Sequence, residues 1–324
     1  MKYETIFSIA SPSQFEEVAL SVFLHQYHHC PPYRKFCELL KIDPLAVREV
    51  DKIPFLPIEF FKSKKIISEE KKTALTFVSS GTTGSVPSKH YVADVQLYEE
   101  SFNRCFHLFY GDASNYTFLA LLPSYLERGD SSLVYMAQRL IEQSQDKRSG
   151  FYLYDLERLA TTLQELEKER KKTILLGVTY ALLDLMENYS LQLKYTAIME
   201  TGGMKGRRRE LIREELHTKL QLGFGVSSVH SEYGMTELLS QAYSQGQGVY
   251  KCPPWMKILT RDTEDALRYV HGVTGGINVI DLANLHSCSF IATQDLGKVY
   301  PNGTFEVLGR FDSSDIRGCN LMVL

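Results

Sequence analysis

Apolar residues along this chain fall first at helical spacing, then in alternating strand and helix signals, and beyond residue 222 in short strand-like runs. Near the start, Phe15, Val18, Ala19 and Val22 recur three and four residues apart and predict one face of a helix. Ser13 followed by Glu16 has the spacing of a capping box at its start. The prolines of IPFLPIEFF, residues 53–61, predict an extended connector pinned to the body by its aromatic residues. Leu75, Phe77 and Val78 suit a strand, residues 94–110 a helix and TFLALLP (117–123) a strand. Residues 130–145 place Leu133, Ala137, Leu140 and Ile141 in helical phase, and 155–171 repeat the pattern. TILLGV (173–178) and TAIMET (196–201) read as strands, with helices predicted over 180–188 and 206–220. Alternation of this kind predicts parallel strands covered by helices on both faces, so the expected fold class is α/β. WMKIL, INVID, SFIAT and FEVLG, separated by turn residues that include Asn302-Gly303, predict a β-rich lobe with a hairpin near its end.

Composition narrows the function classes. A chain of 324 residues, 44% hydrophobic and 23% charged, supplies a core for one large domain or two modest ones. A net charge of -3 and a pI near 6.3 argue against a general nucleic-acid binder, whose domain is usually basic. The basic runs KERKK (168–172) and KGRRR (205–209) read as solvated helix ends. No apolar run approaches the ~18–20 residues of a membrane span, so no integral membrane segment is expected. The N-terminus lacks the apolar core and cleavage pattern of a secretory signal. The cysteines at 30, 37, 105, 252, 288 and 319 form no CxxC pair and no zinc-like spacing with histidine. A reduced, cytoplasmic setting is the expectation that follows.

Three stretches carry candidate chemistry. VSSGTTGSVPSK (78–89) gathers Gly81 and Gly84 with the hydroxyls of Ser79, Ser80, Thr82 and Thr83, and ends at Lys89. Ordering glycine costs entropy, so the stretch is either a flexible surface loop or a cradle of N–H groups, hydroxyls and a lysine for phosphate oxygens. Its spacing is not that of P-loop nucleotide triphosphatases, where the lysine directly follows a glycine. In EYGMTE (232–237), Tyr233 suits stacking on a base, Thr236 a phosphate contact and Glu237 a Mg2+ ligand. A Tyr-Gly turn before a capped helix would look the same. In ATQDLGKVYPNGTFEVLGRFDSSDIRGC (292–319), Asp295 suits acceptance from ribose hydroxyls and Arg310 donation to the same ribose. An ordinary Asx turn and a surface cation are the competing readings.

The order of these stretches resembles the adenylate-forming superfamily of acyl-CoA synthetases, peptide-synthetase adenylation domains and luciferases. SSGTTGSVPSK is similar to its phosphate-binding motif and YGMTE to its aromatic-Gly-x-Thr-Glu motif. TQDLG is similar to its ribose-binding motif with Gln294 in place of glycine, and GRFDSSDIRG to its hinge motif. ETGGMKG (200–206) resembles the Gly-Gly turn that lies along the adenine. Within the superfamily, IPFLPIEFFK, LLPSYLERGDSSLVYM (121–136) and GRFDSSDIRGCNL resemble the LuxE-type acyl-protein synthetases.

The resemblance implies the large N-terminal, ATP- and carboxylate-binding domain of that fold over residues 1–311. A hinge-like tail, 312–324, would stand where a mobile C-terminal domain is absent or reduced. The lysine supplied by that domain is then not carried over, and Lys89, another residue or a partner would position the carboxylate. ATP and Mg2+ are the implied cofactors. Implied ATP contacts are Ser79, Ser80, Gly81, Thr82, Thr83, Gly84, Lys89, Gly202, Gly203, Tyr233, Gly234, Thr236, Asp295 and Arg310, with Glu237 as metal ligand. Lys89 and Thr236 are implied catalytic residues, as is Cys319, which would accept the acyl group as a thioester. An acyl adenylate is a mixed anhydride that reacts readily with a thiolate, and Arg317 would lower the Cys319 pKa if it folds close. A small apolar residue near the chain end is the competing reading of Cys319. Pro123, Ser124, Tyr125 and His230 are assigned to the acyl pocket, a structural histidine being the alternative for His230. No Gly-x-Ser-x-Gly elbow surrounds Ser124, and Trp255 reads as core or rim.

The implied activity is ATP-dependent activation of a carboxylic, fatty acid as acyl-adenylate with release of pyrophosphate. Acyl transfer to Cys319 would follow, then passage to a partner such as a reductase or acyl carrier protein. An acyl-AMP ligase loading CoA or a carrier-protein thiol directly is one alternative. A catalytically degenerate nucleotide-binding subunit is the other.

Overall fold

A computed structural model describes residues 3–80, 86–202 and 211–311. The N-terminal segment forms helices α1 (Tyr3–Phe7), α2 (Pro12–His29) and α3 (Pro31–Leu39). The cap of α2 is Ser11, not Ser13 as the spacing predicted. Ser11 Oγ accepts from the Gln14 N–H, Gln14 Oε1 accepts from the Ala10 N–H at 2.8 Å, and Pro12 opens the helix. Proline fits there because the first-turn N–H has no intrahelical partner to lose. The connector holds a two-residue strand, β1 (Leu56–Pro57), and then a single-turn helix, α4 (Phe60–Ser63), so only its first half is extended.

The chain then forms an antiparallel hairpin, β2 (Leu75–Val78) and β3 (Lys89–Val92), followed by α5 (Val95–Tyr110), which Asp94 caps. Strand and helix alternate from there: β4 (Thr117–Leu121), α6 (Tyr125–Arg128), α7 (Ser132–Gln143), β5 (Gly150–Phe151), α8 (Leu156–Lys168), β6 (Thr173–Val178), α9 (Thr179–Asn188), β7 (Thr196–Thr201), α10 (Arg213–Phe224), β8 (His230–Tyr233) and β9 (Ala242–Ser244). Strands β4 to β9 make one sheet in the order β5-β4-β6-β7-β8-β9, parallel except for β9. Every residue of β6 is buried, as a strand covered on both faces requires. The expected α/β alternation is therefore present. The helix expected over 206–220 runs instead from Arg213 to Phe224, residues 206–210 lying outside the described set.

The second sheet is built from β10 (Val249–Tyr250), β11 (Met256–Arg261), β12 (Tyr269–Val270), β13 (Gly275–Asp281), β14 (Phe290–Val299) and β15 (Phe305–Arg310), with β1 lying parallel beside β14. Its order is β10-β15-β14-β13-β11-β12, and the predicted Asn302-Gly303 turn joins β14 to β15. Phe290 ties this sheet to the N-terminal helices, its ring meeting those of Phe23, Tyr33 and Phe55. Burying one such side chain contributes roughly 1.5–3 kcal/mol. Gln26, fully buried on α2, donates to the Asn284 carbonyl and Ser289 Oγ and accepts from the Ser289 N–H, which offsets its desolvation. Among the described residues no helix is long and apolar enough to cross a membrane.

Candidate functional site

Of the predicted residues, Gly202 follows the carboxyl end of β7 and Tyr233 and Gly234 stand at that of β8, the edge where parallel sheets offer a crevice to ligands. Strand β7 runs into Gly202, whose φ of +69° favours glycine and whose carbonyl accepts from Thr179 Oγ1 at 2.7 Å. The chain leaving β7 is thereby fixed to the start of α9. Strand β8 runs into Gly234, where an added Cβ would lie 2.4 Å from Glu232 Oε1. No side chain fits there unless Glu232 moves.

The β2–β3 hairpin brings Ser88 and His90 against the segment that follows β8. Val78 pairs with Lys89, the Ser79 N–H donates to the Ser88 carbonyl at 3.0 Å, and the Ser88 N–H donates to Ser79 Oγ at 2.9 Å. Both ends of the loop are thus clamped where it opens. Ser80 is exposed, while Gly81, Thr82, Thr83 and Gly84 lie outside the described residues, as do Gly203 and Cys319. Alternation then sorts the exit strand: Ser88, His90 and Val92 are buried and Lys89 faces solvent.

The YGMTE segment packs against the buried face of that strand. Glu237 is buried, which raises its carboxyl, and its side chain is hydrogen-bonded to Ser88. Thr236 is half-buried, and its carbonyl contacts His90 Nδ1 at 2.9 Å. Asn284 Nδ2 donates to the Glu237 carbonyl at 2.7 Å. Just downstream, Asp281 accepts from the Leu239 N–H, the Ser240 N–H, Ser240 Oγ and the Ala283 N–H. Trp255 is core, its indole N–H donating to Ser240 and Ser101. Sequence reasoning missed His90, Asp281 and Asn284 altogether.

The second sheet supplies the rest. The Tyr233 hydroxyl donates to Asp295 Oδ2 at 2.9 Å, and Arg310 Nε donates to Asp295 Oδ1 at 3.0 Å across the β14–β15 register. The Tyr233 ring is buried against Phe305 and Tyr250. Asp295 is likewise buried, whereas the Arg310 side chain is 78% exposed. Two predicted residues, Tyr233 and Arg310, therefore converge on the carboxylate of a third, Asp295.

Behind Gly202 lies a buried carboxylate pair that the sequence did not signal. Burial works to raise the Glu200 carboxyl, but His217 and Arg213 outweigh it and hold the group below its ordinary value, Arg213 lying at 2.6 Å. Burial dominates at Glu232 and pushes its carboxyl up to about 7, despite a hydrogen bond from Thr201 Oγ1 at 2.5 Å. The expected pocket residues are more dispersed. Pro123 and Ser124 follow β4 at the same carboxyl edge, with Ser124 capping α6 through its N–H and Oγ to Glu127 Oε2. Tyr125 lies beside them, its side chain outside the described set. His230 opens β8, stacked on Tyr110 with Nδ1 3.2 Å from the tyrosine hydroxyl, and burial lowers its pKa. Among the described residues no group of three His, Cys, Asp or Glu side chains is arranged to hold a metal ion.

Residues 10–101 match the sequence model of the family described as acyl-protein synthetase, LuxE. Two relatives are long-chain-fatty-acid–luciferin-component ligases. The one from Photorhabdus luminescens is 37% identical over 70 residues, covering 21% of this chain and 60% of that ligase. The one from Vibrio harveyi is 22% identical over 342 aligned positions, covering 92% of this chain and 84% of that ligase. In three dimensions the chain is similar to 2-hydroxyisobutyryl-CoA ligase, solved with 2-HIB-AMP and CoA, at a TM-score of 0.66 and 12% identity over 93% of this chain and 70% of that one. At that identity the likeness concerns the fold. Residues 10–101 are thus similar to the LuxE acyl-protein synthetases, and the chain shares the fold of 2-hydroxyisobutyryl-CoA ligase.

Proposed function

We propose that the protein activates a fatty carboxylate with ATP and passes the acyl group to a thiol. In the first step a carboxylate oxygen bonds to the α-phosphorus of ATP, the bond from that phosphorus to the bridging oxygen breaks, and pyrophosphate leaves. In the second a thiolate attacks the acyl carbon of the mixed anhydride and AMP leaves with the electron pair. The observation that carries this reading is the meeting of Tyr233, Asp295 and Arg310 at the carboxyl edge of the parallel sheet, beside the clamped Ser79–Ser88 loop.

The residue chemistry supports each role. A carboxylate offers about four acceptor positions. Tyr233 and Arg310 supply one hydrogen bond each to Asp295, which leaves capacity for two vicinal ribose hydroxyls. The loop clamped by Ser79 and Ser88, with Lys89 exposed at its exit, is the proposed grip on the pyrophosphate oxygens. Glu237 and Thr236 stand across from that grip on the buried face of β3. Glu237 fits a Mg2+ site, because a cation favours ionisation of a carboxyl that burial has raised and Mg2+ takes only one or two protein carboxylates beside phosphates. Bound there, Mg2+ would supply charge neutralisation on the phosphates.

For the thiol, Cys319 is proposed from its place in GRFDSSDIRGCNL. Burial raises the thiols of Cys30, Cys37, Cys105, Cys252 and Cys288, Cys30 to about 11 and Cys37 to about 12, so they are poor nucleophiles. The test is acid-dependent ATP–pyrophosphate exchange across fatty acids of graded length and aryl acids, followed by trapping of labelled acyl-protein and cleavage with neutral hydroxylamine. Exchange with a fatty acid and a hydroxylamine-labile label lost in Cys319→Ser is the expected result. A label that survives Cys319→Ser removes Cys319 as acceptor, and no exchange with any acid despite ATP binding marks a degenerate subunit.

A further inference from the structure

The strand that leaves the Ser/Gly/Thr loop carries more than Lys89. His90, one residue on, points the opposite way and is 1% exposed. Its Nδ1 lies 2.9 Å from the Thr236 carbonyl, which can only accept, so Nδ1 carries the proton. Its Nε2 lies 2.9 Å from Ser287 Oγ. The Ser287 hydroxyl also approaches the Asn284 carbonyl, at the longer distance of 3.4 Å, so the shorter contact to His90 takes its proton and fixes the neutral tautomer. The two polar partners of His90 are therefore a carbonyl and a hydroxyl, neither of them charged. Ser88, two residues earlier on the same face, is bonded to the Glu237 side chain, and Asn284 holds the Glu237 carbonyl. One strand face thus touches the backbone of Thr236 and the carboxyl of Glu237, while the strand itself begins at the clamp of the loop.

We infer that His90 is a positioning residue for adenylation, a latch that fixes the Thr236–Glu237 segment at one register relative to the phosphate-gripping hairpin. The inference rests on the adenylation reading above. A hairpin with only its own clamp would be free to shift against the YGMTE segment. The His90 ring removes that freedom, because its fork spans the Thr236 carbonyl on one side and Ser287, next to the β14 strand, on the other. Displacements of about 1 Å at a phosphate-transfer site change rates by up to roughly a hundredfold. Lys89 and Glu237, which act on the phosphates in this reading, are covalent neighbours of the two latched positions, so His90 acts through them and needs no contact with substrate.

The test compares His90→Phe, which fills the space without hydrogen bonds, with His90→Asn, whose amide N–H lies where Nδ1–H does. Two readouts are taken: kcat and KM for ATP in acid-dependent pyrophosphate exchange, and deuterium uptake at the amides of 236–240. Expected are a fall in kcat of about tenfold or more in His90→Phe with a smaller change in KM, recovery to within about threefold of wild type in His90→Asn, and faster uptake confined to 236–240 in His90→Phe. Wild-type kcat in His90→Phe, or an equal loss in both variants, overturns the inference. Should His90→Phe fail to fold, Ser287→Ala replaces it. Faster uptake at 236–240 and a lower kcat support the latch, and wild-type behaviour in both overturns it. If wild-type protein shows no exchange with any acid, the adenylation reading fails on its own. Deuterium uptake then decides the latch, unchanged uptake in His90→Phe overturning it.

Discussion

The two halves of the candidate site are held in opposite ways. The YGMTE segment, on the parallel sheet, is gripped mainly through its backbone by buried groups from elsewhere: His90 on Thr236, Asn284 on Glu237 and Asp281 on Leu239 and Ser240. The Asp295–Arg310 pair, on the antiparallel sheet, is gripped through side chains and has an open guanidinium. Backbone held by buried acceptors and donors cannot relax without leaving polar groups unpaired, which costs about 1–3 kcal/mol for each. Here only the guanidinium lies in water and can swing away, while Asp295 stays buried and held by Tyr233. In the proposed reaction, then, the phosphate side is pre-set and the ribose side closes on its ligand.

Substitutions test that contrast, the largest effect first. Asp281→Ala strands three backbone donors in the interior and should lower stability by about 3 kcal/mol, read as a shift in the urea midpoint. A small shift would mean the segment is not over-determined. Acid comes next. Burial pushes the buried His90 imidazole down to about 4, so between the unfolded value near 6.5 and about 4 the native state binds fewer protons than the unfolded one. That stability is present in full above about pH 6.5 and is lost as pH falls toward 4, by on the order of 2–3 kcal/mol. Glu232, raised to about 7, works with the opposite sign, destabilising as pH rises from its unfolded value. The difference between wild type and His90→Asn across pH 4–7 isolates the histidine, and parallel curves would contradict its burial in the neutral form.

On the ribose side Tyr233→Phe should cost about 1 kcal/mol in stability, since it removes one donor from a buried carboxylate. Arg310→Ala should cost about the same, roughly 1 kcal/mol, since it removes the other side-chain donor to that carboxylate from the end that opens to water. In the proposed function it should also raise KM for ATP severalfold, measured in the exchange assay. Equal KM effects from Arg310→Ala and Asp281→Ala would erase the contrast between the two halves.

Much of the fold was legible in the chain because its signals are local. TILLGV is a strand over all six positions, and the Asn302-Gly303 turn lies where hairpin chemistry put it. The cap of α2 was misplaced by two residues because Ser11-x-x-Gln14 and Ser13-x-x-Glu16 carry nearly the same spacing, and Pro12 decides between them. The candidate site was legible as far as its motifs reached, which brought out Tyr233, Asp295 and Arg310. Its tethers were not. His90 and Ser287 are 197 residues apart, and Gln26 and Ser289 are 263 apart. No spacing rule connects such positions. The alternation of Ser88, His90 and Val92 after the loop was the one available hint, since it marks a strand with a buried polar residue on its inner face.

The Gln26 contacts also bear on how the chain is made. Gln26 of α2 finds its polar partners at 284–289, and among the described residues β1 finds its strand partner at Ile291–Ala292. The segment that leaves the ribosome early must therefore wait for most of the chain to be synthesised before its buried glutamine is satisfied. Contacts of such high sequence separation slow folding and leave intermediates with exposed apolar surface. A ribosome stalled at about residue 250 should hold α2 in a protease-sensitive state, and one stalled beyond Val299, with room for the exit tunnel, should not.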